Sequence, residues 1–104
     1  DQKARRLGQY IRSKLEGLKK YGVVREVRGK GVLLGVELVK ETRTNQPFPA
    51  LGNALKKTAL ENGLIMRIDP SWFAVAPALI AEESDLNEMM GLIEKSFKEA
   101  LDRV

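Results

Sequence analysis

Apolar positions recur along the chain with two periods, and the switches between them mark out seven elements. Leu7, Tyr10, Ile11, Leu15 and Leu18 keep the three-and-four spacing of one helical face, with Arg and Lys between them, which predicts a helix over about 2–21. Gly22 is placed to end it, because glycine enters the left-handed region without a Cβ clash. The pattern then turns to β-prone runs at 23–28 and 32–39, and the link Gly29-Lys30-Gly31 predicts a hairpin between them. In the second run Val32, Leu34, Val36 and Leu38 share one face, and Leu33, Gly35, Glu37 and Val39 the other. A strand apolar on both faces is expected to be central and covered twice. Gly35 is then expected to mark a close approach by another element.

Residues 40–48 are polar and form a loop that ends at Pro47-Phe48-Pro49, with Pro49 suited to the first turn of a helix. Ala50, Leu51, Ala54, Leu55, Thr58 and Ala59 give that helix its apolar face, and Asn62-Gly63 closes it. Two short apolar strands, 64–68 and 72–76, follow around Asp69-Pro70-Ser71, and Pro77 ends the second. Acidic residues 82–85 then precede Leu86, Met89, Met90, Ile93, Phe97, Ala100 and Leu101, a helix of about twenty residues. Ser84 is the expected N-cap. The order α-β-β-α-β-β-α predicts an α+β fold, a small antiparallel or mixed sheet covered by helices. Residues 1–104 are read as a single domain.

Composition narrows the chemistry. The 104 residues contain no cysteine and no histidine, which excludes disulfide scaffolds, thiol chemistry, histidine general bases and nearly all zinc sites. No metal site is expected, and no apolar run is long enough to span a bilayer. The lack of disulfides fits a cytoplasmic origin. Residues 1–30 hold ten Lys/Arg against three acids, whereas the remainder is acidic, for a net charge of +4. A basic first helix raises the alternative of a stand-alone α+β binding module for an acidic partner or nucleic acid. No aromatic stacking platform accompanies the charge, so no nucleic-acid partner is expected. Asp1 is not a start methionine, which suggests a piece of a longer chain.

The candidate functional residue is Arg67. It is set among Leu64, Ile65, Met66 and Ile68, in a strand expected to be mostly buried. A guanidinium keeps its charge on burial and needs a carboxylate, a phosphate or carbonyls opposite it. That partner is either a ligand or an internal acid such as Glu37 or Asp69. Glu37 is read as a structural hydrogen-bond acceptor, Lys30 as an exposed hairpin tip, and Trp72, the only tryptophan, as core or as a pocket wall.

Three stretches resemble the C-terminal domain of class III aminotransferases, fold-type I pyridoxal-phosphate enzymes, in their ω-amino-acid/diaminopelargonate branch. Residues 24–37, Val-Arg-Glu-Val-Arg-Gly-Lys-Gly-Val-Leu-Leu-Gly-Val-Glu, are similar to the family's V-R-G-x-G run followed by G-x-E. Residues 61–67 resemble its glycine-apolar-apolar-x-Arg strand, and residues 76–80 its P-P-L-x-[IT] stretch before the last helix. Ala78 departs from the usual second proline, and Glu82 stands near the usual Thr cap.

The resemblance implies transfer of an amino group from an amine or ω-amino acid to a keto acid, through pyridoxal 5'-phosphate held on a lysine. That lysine and the phosphate-binding loop would lie in a large domain of the same chain. No catalytic or cofactor-binding residue is therefore expected here, and the domain alone is expected to be inactive and not to bind the cofactor. The resemblance assigns Arg67 to the substrate carboxylate and Trp72 to a possible pocket wall. It also implies a second subunit, since such enzymes are typically dimers.

Overall fold

The computed structural model describes residues 2–30, 33–69, 71–75 and 83–104. Helix α1, Gln2–Glu16, is amphipathic, with Ile11 and Leu15 buried. It tightens into a 3₁₀ segment, Gly17–Tyr21, so the helical stretch predicted to Tyr21 is α-helical only to Glu16. The tighter winding places Leu18 in the core. Gly22, at φ 76°, ends the segment and donates its N–H to the carbonyl of Lys19 at 3.0 Å.

Strand β1, Val24–Lys30, pairs antiparallel with β2, Leu33–Leu38. Pairing continues to Lys30↔Leu33, so Gly29 and Lys30 belong to the strand and the link falls on residues 31–32, outside the described residues. After helix α2, Pro49–Glu61, come β3, Arg67–Asp69, and β4, Trp72–Val75, again an antiparallel pair. Strand β4 also pairs antiparallel with β2, which gives one four-stranded antiparallel sheet in the order β1-β2-β4-β3. The expected choice between an antiparallel and a mixed sheet is thus resolved. Helix α3, Glu83–Asp102, closes the chain. The motif at 76–80, with Pro77 and Ala78, and Glu82 lie outside the described residues. Ser84 is the second residue of α3, so it is not the N-cap that the sequence pattern suggests; a helix capped by Ser84 would begin at residue 85, whereas α3 begins at Glu83.

Helices pack on one face of the sheet. Val27, Leu34, Val36, Phe73 and Val75 from the strands meet Ile11, Leu15, Leu51, Leu55, Ile93 and Phe97 from the helices in one buried cluster. Phe73 lies 6.4 Å, ring to ring, from Phe97, which in turn lies 5.6 Å from Tyr21. A β-bulge between Val24 and Glu26 makes this possible at β1. Strict alternation would send Val24 and Val27 to opposite faces, whereas the extra residue, Arg25, lets both point inward.

Helices α2 and α3 are joined by a polar seam inside the apolar packing. The buried Thr58 hydroxyl donates to the carbonyl of Ser96 at 2.7 Å, and the Asn62 amide donates to Ser96 Oγ and Glu99 Oε1. At the seam's outer end Arg103 grips Glu61 with two guanidinium nitrogens, which lowers the Glu61 pKa and raises that of Arg103.

Candidate functional site

The sheet face opposite the helices is not covered by any helix among the described residues, contrary to the expectation that β2 is covered twice. Register arranges this face as two cross-strand rows. One runs Arg28, Gly35, Ala74, Arg67; the next runs Glu26, Glu37, Trp72, Asp69. Small residues thus occupy the middle of the first row, and charges stand at both of its ends. An open depression of about 990 Å³ lies over these rows, lined by Gly35, Ala74, Trp72, Arg67, Asp69 and Ile65 among others.

The close approach predicted at Gly35 comes from Trp72. A Cβ built on Gly35 would stand 2.8 Å from Cζ3 and 3.0 Å from Cε3 of the indole, closer than carbon atoms pack. Glycine therefore lets the ring lie against the sheet backbone. Trp72 remains 46% exposed, so it is a wall of the depression rather than core.

Strand β3 and its approach alternate instead of being buried throughout. Leu64, Met66 and Ile68 pack partly against the core, while Ile65, Arg67 and Asp69 point outward, with Ile65 95% exposed. The apolar run at 64–66 concealed this period-two pattern in the sequence, because Ile65 is an apolar residue at a solvent-facing position. Residues 64–66 carry no strand pairing, and β3 begins only at Arg67.

Glu37 is fully engaged elsewhere. Its Oε1 accepts from Arg25 Nη1 at 2.9 Å and from Arg28 Nη2 at 2.7 Å, and Glu26 lies beside both arginines. The bulge is what lets Arg25 join Arg28 on one carboxylate, since residues three apart would otherwise face opposite ways. This two-by-two cluster is charge-balanced. Arg67, by contrast, is exposed and makes no ion pair or side-chain hydrogen bond among the described residues, with Glu37, Asp69 or any other group. Asp69 is likewise exposed and unpaired among them.

Part of the basic first segment is engaged in the fold itself. Arg12 donates to the carbonyls of Val27 and Gly29, Lys19 pairs with Glu16, and Lys20 pairs with Glu94 at 2.8 Å. Lys30 is exposed at the end of β1 and does not line the depression. No group of three or more Asp, Glu, His or Cys side chains capable of holding a metal ion occurs among the described residues. No helix among them is long and apolar enough to cross a membrane.

Residues 1–97 match the family model described as aminotransferase class III. The chain belongs to the class III aminotransferases. Taurine–pyruvate aminotransferase of Bilophila wadsworthia is 36% identical over 95 residues, covering 80% of this chain and 21% of that protein. An ω-aminotransferase from Paracoccus denitrificans superposes with a TM-score of 0.90 at 26% identity, over 99% of this chain and 24% of the other. A PMP-bound aminotransferase from Vibrio fluvialis gives the same score at 24% identity, over 99% and 24%, and shows the shared fold. The chain spans about a fifth to a quarter of the length of these class III relatives. The α+β sheet with three helices is that of a fold-type I aminotransferase domain.

Proposed function

We propose that this chain is the C-terminal domain of a pyridoxal-phosphate-dependent aminotransferase, and that Arg67 binds the carboxylate of its keto-acid or ω-amino-acid substrate. The observation that carries this reading is an exposed arginine that has no internal partner among the described residues and lines a depression on the sheet face opposite the helices. The acid nearest in register on β2 is already neutralised by two other arginines. A planar guanidinium matches a carboxylate through two parallel charge-assisted hydrogen bonds, and an acid bound there need not displace an existing ion pair.

The cofactor supplies the electron sink for amino transfer when it is bound. The cofactor-bearing lysine is proposed to lie in a large domain of the parent chain. This domain's own residues would bind and orient the acid and wall one side of the site. The exposed Ile65 and the half-exposed Trp72 suit contact with that large domain or with a second subunit. The enzyme is proposed to be cytoplasmic and dimeric, and the domain alone to be inactive.

The test is Arg67→Gln in the full-length parent. The Michaelis constant for keto acids and ω-amino acids should rise about ten- to a hundredfold, the worth of hydrogen bonds to a charged group, with simple amines little affected. An unchanged constant for the acids overturns the assignment. Mixing this chain alone with pyridoxal phosphate should give no absorbance of a lysine-bound cofactor; its appearance would place the cofactor lysine here.

A further inference from the structure

The most crowded place on the open face is one where the chain has no side chain of its own. Ala74 on β4 pairs with Gly35 on β2 and with Arg67 on β3, so these three stand side by side across the sheet. Trp72 fills the place that a Gly35 side chain would take. Its Cζ3 and Cε3 lie 2.8 and 3.0 Å from a Cβ built there, and the next-nearest atom beyond the chain neighbours is the Arg28 carbonyl oxygen at 3.9 Å. The rest of the indole is at least that far off, so the ring turns an edge, not its face, to the glycine. At side-chain level the row reads Arg28, indole edge, Ala74 methyl, Arg67, and all of these residues line the depression.

Strands about 4.8 Å apart put the indole edge one spacing beyond Ala74 and two spacings, about 10 Å, from the backbone of β3. An acid whose carboxylate is held by Arg67 must turn its reacting carbon away from the sheet, toward the cofactor, and so runs the rest of its chain along the face. Along β3 the neighbours on this face are Asp69, whose carboxylate an alkyl chain would desolvate, and Ile65, which stands almost wholly clear of the surface. Across the sheet lie only the Ala74 methyl, a low apolar floor, and then the ring. We propose that the Trp72 indole sets the chain-length limit for the acid held at Arg67, and that Gly35 is the positioning residue that seats the ring. The proposal rests on the Arg67 reading above and deepens it by naming what selects among acids.

The backbone does not explain the glycine. Gly35 is not at positive φ, unlike Gly22, Gly29 and Gly63, so no left-handed turn requires it. In the interior of a strand glycine gives up cross-strand packing and costs backbone entropy. What it supplies here is room for the ring edge, since an added Cβ would force the indole to move. Ala74 is the second small residue of the row, and it keeps the space between ring and arginine open. A ring displaced from the place of Gly35 is a wall displaced, and the limit moves with it.

The test uses the full-length parent holoenzyme, one fixed amine donor, and the straight-chain α-keto acids from pyruvate to α-ketooctanoate as acceptors. In the unmodified enzyme kcat/KM should fall about tenfold or more from the shortest acid to the longest. Trp72→Ala should raise the ratio of kcat/KM for α-ketooctanoate to that for pyruvate about tenfold, mainly through the KM of the longer acid. Gly35→Ala should change the same ratio about threefold or more. In the Trp72→Ala background Gly35→Ala should change it no further, because a residue that acts through the ring has nothing left to act on. An unchanged ratio in Trp72→Ala overturns the limit, whether or not Gly35→Ala folds. Equal effects of Gly35→Ala in the two backgrounds, or a loss shared evenly by all the acids, overturns the positioning role. A KM for pyruvate left unchanged by Arg67→Gln instead overturns the reading on which the proposal rests.

Discussion

The two faces of the sheet use the same four strands for opposite ends. On the helix side, Val36 and Phe73 are fully buried within the apolar cluster. On the open side the residues flanking them in sequence, Gly35, Glu37, Trp72 and Ala74, carry charge, an aromatic wall and a gap. One face carries most of the fold's packing, and the other, which contributes less to stability, is freer to be chemically specific. That division predicts that substitutions one residue apart in a strand will separate cleanly into stability effects and ligand effects.

The sharpest test is Phe73→Ala. The ring is buried against Phe97, and deleting it should cost about 3–5 kcal/mol by denaturant melts, the usual range for an emptied aromatic site. Arg67→Gln, on the outer face, should stay within about 0.5 kcal/mol because no internal partner is lost among the described residues. Similar losses for both would dissolve the distinction between the faces. Thr58→Val comes next. It keeps the shape of a buried side chain but removes the donor to the Ser96 carbonyl, and should cost about 1–3 kcal/mol.

Gly35→Ala probes the boundary between the two roles. The added methyl would collide with the Trp72 ring, yet the ring is half exposed and can swing toward solvent. A modest loss of about 1–3 kcal/mol is expected, as for other overpacked sites, with a red shift in the emission of the chain's only tryptophan. A large loss without a spectral change would mean that the open face also carries the fold.

The helix-side half of this structure was legible in the sequence, and the open face only partly so. Helical stripes such as Ile11-Leu15-Leu18 and Leu51-Leu55 are local patterns, and local patterns survive folding. The antiparallel hairpins followed from short links, but the β2–β4 pairing that makes β2 central joins residues far apart in sequence. Gly35 announced a close approach, and its partner Trp72 could be named only once that pairing was known. The bulge at Arg25 could not be read, since Val-Arg-Glu-Val alternates badly under any straight register. Arg67 was singled out for the wrong local reason: its strand is half exposed, not buried, and Ile65 misled because an apolar side chain stands where solvent is. The Thr58–Ser96–Asn62 seam was hidden for a related reason, as Thr58 and Ala59 fall on the same apolar-looking face.

The smallest expected effect lies at the far edge of the helix side, where α3 meets the 3₁₀ segment. Glu94 pairs with Lys20 at 2.8 Å and accepts the Tyr21 hydroxyl at 2.7 Å, and these bonds, that to Lys20 first, hold its carboxyl below the ordinary glutamate range. Lys20 is raised in turn by its bond to Glu94, while burial, then that same carboxylate, pushes the Tyr21 hydroxyl up. A carboxyl whose pKa is lower in the folded chain than in the unfolded one binds fewer protons when folded. Its stabilising contribution is therefore complete above the ordinary glutamate pKa and disappears as pH falls through the depressed value. Glu94→Gln should remove that part of the acid sensitivity, so the difference between mutant and parent melts narrows on acidification. Because the pair is well exposed to solvent, the same difference should shrink in high salt. A gap between the two proteins that is unchanged from neutral pH to strongly acidic pH would mean that Glu94 acts through packing rather than charge.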